Sequence, residues 1–278
     1  MNLSEIYYPR SIQELIAIMA RQKNLQIVAG ATSFGYIQDT RYLFFEPSIA
    51  SIRNLPELKT IHKTERMISF GAACALNDLE SVYPFEKKPA REVLRATANS
   101  TVRNIATIGG HLMYQKRFLA LWPLLACLDA ELEFKGPSGT SIKNIWYLTN
   151  EEGLPSLESR RVLTRIRIPL QSIDRLFIRR TGAEIFPNGD GAYLVAASTI
   201  ERNSISYFRL VIAGQRAFRD YDAEQRITSS PYPLTERVFH SVLKMYSESL
   251  HRTKFWNMEL FLPLISQALE DLQRSSVL

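Results

Sequence analysis

The apolar positions alternate between two periodicities along the chain. Ile12, Leu15, Ile16 and Met19 recur at i, i+3, i+4 and i+7, which predicts an amphipathic helix with one buried stripe. Ser11 and Glu14 precede that stripe at capping-box spacing, so that a hydroxyl and a carboxylate satisfy orphan amides of the first turn. Asn24 breaks the pattern near its end. Gln26-Ile27-Val28-Ala29 then reads as a short buried strand that runs into Gly30-Ala31-Thr32-Ser33-Phe34-Gly35, a loop of small and hydroxyl-bearing residues. Further on, residues 67–72 read as a strand, 76–82 as a short helix and 90–98 as a longer one, before a second small-residue loop, Thr107-Ile108-Gly109-Gly110. Residues 119–128 are apolar nearly all round, the pattern of a helix buried on every side. Residues 131–134 and 140–142 flank the turn Gly136-Pro137-Ser138-Gly139 and read as a hairpin. Residues 161–168 alternate like a half-buried strand whose arginines form the wet face. Beyond residue 171, 193–200 and 205–213 read as a strand pair joined through Arg202-Asn203-Ser204, and 234–250 and 258–272 carry helical periodicity. There is no internal repeat and no long linker, so the parts are expected to pack as one body with lobes.

Composition narrows the classes. Of 278 residues, 46% are hydrophobic and 22% charged, the balance of a chain that buries a core without disulfide or metal staples. No apolar run approaches the length that a membrane-spanning helix needs. The first residues carry Glu5, Pro9 and Arg10 where a secretory leader would be apolar. The two cysteines, Cys74 and Cys127, sit in apolar surroundings, which argues against a disulfide framework or thiolate metal site and for a reducing cytoplasm. The net charge of +6, mostly arginine, admits an anionic partner. Zinc-finger spacing, a basic helix leading into heptads and an aromatic RNP stripe are all missing, so nucleic acid is not expected.

No motif for autonomous catalysis occurs. His62, His111, His240 and His251 lack metal-ligand spacing, and HExxH, CxxC and GxSxG are absent. Only His111, directly after Gly109-Gly110, stands where a ligand would reach it. The chemistry therefore rests on the two glycine-bearing loops. Exposed amides of residues 30–35 would form an anion-binding concavity, Thr32 and Ser33 would add hydroxyl donors, and residues 107–110 would supply a second such surface. Neither loop is a Rossmann GxGxxG or a Walker loop, and each alone is also read as a tight turn; the pair together points to a diphosphate cradle.

Several segments also carry a recognisable order. Residues 7–20 form an opening Tyr-x-Pro helix, Ile27-Val28-Ala29-Gly30-Ala31-Thr32-Ser33-Phe34 is followed by Ser51-Ile52-Arg53-Asn54-Leu55-Pro56-Glu57-Leu58, and then by Ile68-Ser69-Phe70-Gly71-Ala72. Val102-Arg103-Asn104-Ile105-Ala106-Thr107-Ile108-Gly109-Gly110, Pro123-Leu124-Leu125-Ala126-Cys127-Leu128-Asp129-Ala130 and Ile166-Arg167-Ile168-Pro169 complete the series. This order resembles the FAD-binding subunit, or medium chain, of the molybdenum hydroxylases, the xanthine dehydrogenase and carbon monoxide dehydrogenase group, almost end to end. The resemblance implies an α+β fold: a two-part FAD-binding fold of the PCMH, molybdopterin-dehydrogenase type, followed by a C-terminal α+β domain with a small antiparallel sheet plus helices. Its parts would be residues 1–53, 54–170 and 171–278.

By the same resemblance the pyrophosphate of a non-covalent FAD would lie against Val28, Ala29, Gly30, Ala31, Thr32, Ser33 and Phe34. Thr107, Gly109, Gly110 and His111 would touch the cofactor, and Ala98 and Leu163 occupy flavin-side positions. Three departures stand out. Ala31 replaces a usual Gly, which matters only if that residue needs a positive φ. His111 replaces a usual Asn. Gln115-Lys116-Arg117-Phe118-Leu119-Ala120 replaces "A-S-P-x-S-D", so that Ala120 stands at an acidic position, and Lys116 and Arg117 would compensate by pairing with phosphate. The implied function is an oxidoreductase subunit that passes electrons from a 2Fe-2S partner through FAD to NAD+ or another acceptor, alongside a molybdopterin-binding large subunit, with little turnover by the isolated chain. The alternative is a structural or assembly subunit of the same fold that has lost FAD.

Overall fold

The computed structural model describes residues 5–33, 48–157, 160–182 and 191–273. The first lobe has strands β1 (Glu5–Tyr7), β2 (Leu25–Val28) and β3 (Ser48–Ser51) in a parallel sheet of order β1-β3-β2, with helix α1 (Ile12–Arg21) between the first two. Ser11 caps α1, its Oγ accepting the Glu14 N–H at 3.1 Å. The Glu14 carboxylate accepts from Arg10 N–H at 2.7 Å, one residue before the position a strict capping box uses. Ile12, Leu15 and Met19 are buried against Ala50, Ile52, Leu55 and Leu58. Burial of each such side chain stabilises the helix's attachment by about 1.5–3 kcal/mol.

The second lobe is a five-stranded antiparallel sheet: β4 (Ile61–Lys63), β5 (Met67–Gly71), β6 (Glu131–Gly136), β7 (Gly139–Asn144) and β8 (Val162–Pro169), in the order β4-β5-β8-β6-β7. The expected hairpin is β6–β7. In β8, Ile166 and Ile168 are fully buried while Arg165 and Arg167 lie on the half-exposed face, as the alternation predicts. Helices α2 (Ala90–Ala96), α3 (Ser100–Arg103), α4 (Ile108–Leu112) and α5 (Leu121–Cys127) connect β5 to β6. The helix expected over 76–82 is a 3₁₀ turn, Leu76–Leu79.

The third lobe is an antiparallel sheet of β9 (Arg175–Thr181), β10 (Ala192–Glu201), β11 (Ser204–Ala213) and β12 (Ala217–Phe218), ordered β12-β11-β10-β9. Helices α6 (Tyr221–Thr228), α7 (Glu236–Arg252) and α8 (Met258–Gln273) belong to one of its faces. The hydrophobic pattern predicts neither strand β9 nor helix α6, which Asp220 caps. The β10–β11 link places Arg202 and Asn203 at φ 47° and 63°, a tight two-residue turn.

Helix α5 explains how the lobes share a core. All its residues are buried, and its cluster includes Phe70 and Ile166 of one sheet together with Val195 and Val211 of the other. It lies between two apolar faces, so no side of it needs to be polar. The same sandwiching buries Ala192–Thr199 of β10 continuously: Val195 and Ala197 face α5, while Leu194 and Ala196 face the C-terminal helices. Just beyond α5, Asp129 reaches Arg209 of β11 at 3.1 Å and Arg219 at 3.5 Å, and Tyr207 donates to the Cys127 carbonyl at 2.6 Å.

Candidate functional site

The first segment leaves the carboxyl end of β2, whose last residue, Val28, pairs with Ser51 and accepts from Ile52 N–H at 2.9 Å. A crevice beyond the carboxyl ends of parallel strands is where α/β sheets bind ligands. Gly30 is packed backbone to backbone: a Cβ there would lie 2.1 Å from the Ile105 carbonyl oxygen and 2.9 Å from its carbon. Only glycine allows that approach, and it joins the first segment to the stretch leading into the second. Ala31 follows at φ 56°, exposed, so the departure from glycine does fall on a left-handed residue and carries strain of about 1–2 kcal/mol. Thr32 and Ser33 are half-buried, and Phe34 lies outside the described residues.

The second segment is not a loop of exposed amides. Thr107 is the N-cap of α4, its Oγ1 accepting Gly110 N–H at 3.1 Å. The Ile108 N–H donates to Cys74 O at 3.1 Å, Gly109 N–H to Ala72 O at 2.9 Å, and His111 N–H to Thr107 O at 2.9 Å. The expected second anion-binding surface is therefore spent internally. A threonine at the N-cap organises the turn, and Gly109 lets it close on Ala72, where a Cβ would meet backbone oxygen at 2.6 Å and the Ala72 methyl at 2.8 Å. What the segment presents outward is the bare Cα of Gly110, exposed, where an added Cβ would meet only Thr107 Oγ1 at 3.1 Å.

The remaining nominated residues are placed differently. Leu163 is buried on β8 opposite Phe134, and the next residue, Thr164, accepts Ala72 N–H at 3.0 Å, which links β8 to α4 through one residue. Ala98 lies half-buried between α2 and α3. Its carbonyl accepts from Arg103 Nη1 at 2.5 Å, as does that of Arg95 at 3.0 Å. Arg103, buried, thus ties down the end of α2. His111 turns inward: its Nε2 accepts Leu121 N–H at 3.2 Å, and burial lowers its pKa to about 3, so the imidazole is neutral. Arg117 hydrogen-bonds the Gly191 carbonyl and Phe118 N–H reaches Gly214 O at 2.7 Å, so both residues contact the third lobe.

Sequence reasoning missed Ile105, about a third exposed beside Gly30, and the Ala72–Cys74 acceptor stretch. The Gly71-Ala72 that ends β5 was the one available signal for the latter. Burial raises the Cys74 thiol to about 11 and the Cys127 thiol well above its ordinary value, so neither is a nucleophile at neutral pH. Among the described residues no cluster of His, Cys, Asp and Glu suits a metal ion, and no helix is long and apolar enough to cross a membrane. A groove of about 480 Å³ between α7 and α8, lined by His240, Leu243, Lys244, Leu262 and Pro263 among others, contains none of the nominated residues. A phosphate-bearing cofactor fits the first segment: Gly30 fixes its base, and small residues and hydroxyls follow at the carboxyl edge of a parallel sheet.

Residues 2–171 match the family model described as the FAD binding domain in molybdopterin dehydrogenase. The chain belongs to this family. Its FAD-binding members are components of oxidoreductases, and curated relatives bear that out in name. Aldehyde oxidase 2 of Cavia porcellus is 30% identical over 174 residues, 58% of this chain and 13% of that protein. Xanthine dehydrogenase/oxidase of Gallus gallus is 31% identical over 135 residues, 45% of this chain and 10% of that one. The chain thus spans only about a tenth of the length of these relatives. The fold extends past the family match: the carbon monoxide dehydrogenase from Hydrogenophaga pseudoflava superposes with a TM-score of 0.76 over 96% of both chains at 19% identity.

Proposed function

We propose that this chain holds FAD non-covalently and serves as the electron-transfer component of a molybdenum hydroxylase-type dehydrogenase. It would take electrons from a 2Fe-2S partner and pass them to NAD+ or another acceptor, with the molybdopterin on a separate large chain. The observation that carries this reading is the contact of Gly30 with Ile105, which brings the two glycine-bearing segments of an FAD-binding family into one place. Amides of residues 29–33 and the hydroxyls of Thr32 and Ser33 would hold the pyrophosphate, and the exposed, side-chain-free Gly110 would admit the cofactor to the second segment. Bound FAD supplies the redox chemistry; the chain's own part is to bind it, orient it and keep it near its partner. With the molybdopterin on a separate large chain, turnover of an aldehyde or purine by this chain alone is not expected. Two buried, free thiols suit a reducing cytoplasm.

The test is an absorption spectrum of the chain purified without added cofactor, repeated after incubation with FAD. Flavin bands released as FAD on denaturation support the reading. A colourless protein that takes up no FAD, alone or with its partner chains, overturns it in favour of an assembly subunit of the same fold.

A further inference from the structure

Helix α5 starts without a side-chain cap of its own. Ser11, Asn99, Thr107, Asp220 and Thr235 each cap their own helix by accepting an amide of its first turn, whereas Pro89 of α2 and Ala120, at the N-cap of α5, have no side-chain oxygen to offer. The third residue of α5 is Pro123, which has no N–H for an ordinary cap to bind. Every residue of the helix is buried, so water does not stand in. The Leu121 amide instead donates to His111 Nε2 at 3.2 Å, from the neighbouring helix α4.

We infer that His111 is a positioning residue of the cofactor site, capping α5 from outside and so holding the Gly110 face of α4 in place. The residue ties two helix starts together: its backbone N–H is bound to Thr107 O, inside the turn that carries Gly110, and its ring Nε2 is bound to the first amide of α5. Burial keeps the ring neutral, so Nε2 remains an acceptor at any working pH. With Ala120 at the N-cap, the acceptor for the first amide of α5 is thus remote in sequence rather than local. His111 on this account does not bind the cofactor through Nε2.

The inference rests on the proposed FAD site, and the experiment separates the two. In the full chain, His111→Ala, His111→Asn and His111→Gln are compared by flavin-fluorescence titration with FAD and by thermal melting of the same samples. The Gln amide oxygen reaches roughly where Nε2 stands, whereas the shorter Asn does not. Gln should bind FAD within about threefold of wild type, and Ala and Asn about tenfold more weakly, with Gln also melting highest of the three. If Asn binds as well as Gln, or Ala as well as wild type, the inference is wrong. If wild type takes up no FAD, the cofactor reading fails by itself. The cap is then judged by melting alone, and equal melting of Gln, Asn and Ala overturns it.

Discussion

Replacing Arg219 by methionine would strand a carboxylate inside the joint between the second and third lobes. Arg219 and Glu224 side chains are 6% and 3% exposed and meet at 2.8 Å, with further bonds from Arg219 Nε to both Glu224 oxygens at 3.1 and 2.9 Å. Glu224 also accepts Leu210 N–H at 3.0 Å and has Arg209 Nη1 at 3.7 Å, while Asp129 faces both arginines. Two guanidiniums and two carboxylates balance. Burial pushes the Glu224 pKa up, and the Arg219 hydrogen bonds act against that. Arg219→Met leaves two carboxylates to one guanidinium in a buried setting, which costs about 3–5 kcal/mol. The double variant Arg219→Met/Glu224→Gln keeps the Leu210 bond through the amide oxygen and restores balance, one Asp to one Arg. It should recover at least half of that loss, a coupling of about 2 kcal/mol. Urea unfolding at pH 7.5, followed by tryptophan fluorescence and circular dichroism, measures both. A single variant within about 1 kcal/mol of wild type, or a double variant no more stable than the single, would refute the account of this network as a buried, charge-balanced joint.

Three further outcomes are expected. A neutral, half-buried His111, at about 3 in the fold against an ordinary 6.5, makes stability fall as pH drops below 6.5, because the unfolded chain takes up a proton that the folded one refuses; by pH 5 the loss is up to about 2 kcal/mol. Urea midpoints of wild type and His111→Gln at pH 7.5 and 5 check this, and parallel changes in the two proteins would contradict it. Gly109→Ala, which drives a methyl into Ala72, should destabilise the chain by about 1–3 kcal/mol, whereas Gly110→Val should melt near wild type yet lower FAD content, as read by melting and absorbance; normal FAD content in Gly110→Val would remove that face from the site. Ala31→Gly should relieve the left-handed strain and, net of the added freedom of the unfolded chain, stabilise by about 0.5–1 kcal/mol, visible as a small rise in melting temperature.

What was legible in the sequence follows from where the forces lie. The amphipathic face of α1, the β6–β7 hairpin, the β10–β11 pair and the all-round burial of α5 were readable because hydrophobic period and turn residues act locally. Strand β9 was hidden because its outer residues, Arg179 and Arg180, are exposed and its apolar ones are few. The first glycine segment was found, but not its partner: nothing in Gly30 announces that it will meet Ile105 O, since that contact is set by the packing of two lobes. The nature of the second segment was misjudged for a related reason. Thr-Ile-Gly-Gly is compatible with an open turn or with a capped helix start. The choice was made by Ala72 and Cys74, whose carbonyls take the amides that the loop reading had left for a ligand.

The stretch that departs most from the family's pattern can be understood through the same packing. Gln115-Lys116-Arg117-Phe118-Leu119-Ala120 lies between α4, which carries Gly110, and α5, which is shared by two sheets. Two of its contacts reach the third lobe, Arg117 to the Gly191 carbonyl where β10 begins and Phe118 N–H to Gly214 O at 2.7 Å where β11 ends, while the Phe118 ring packs against Trp122 of α5 at 4.3 Å. A carboxylate at residue 120 would enter this joint only 8% exposed, beside the buried start of α5, and would need partners of its own there. Alanine needs none, and His111 supplies the one acceptor the helix start still requires. An alanine at 120 and the packing of this joint are thus consistent with each other physically. On the proposed FAD reading, residues 28–33 would hold the cofactor, and their base, fixed by the Gly30 contact, does not depend on what stands at 120.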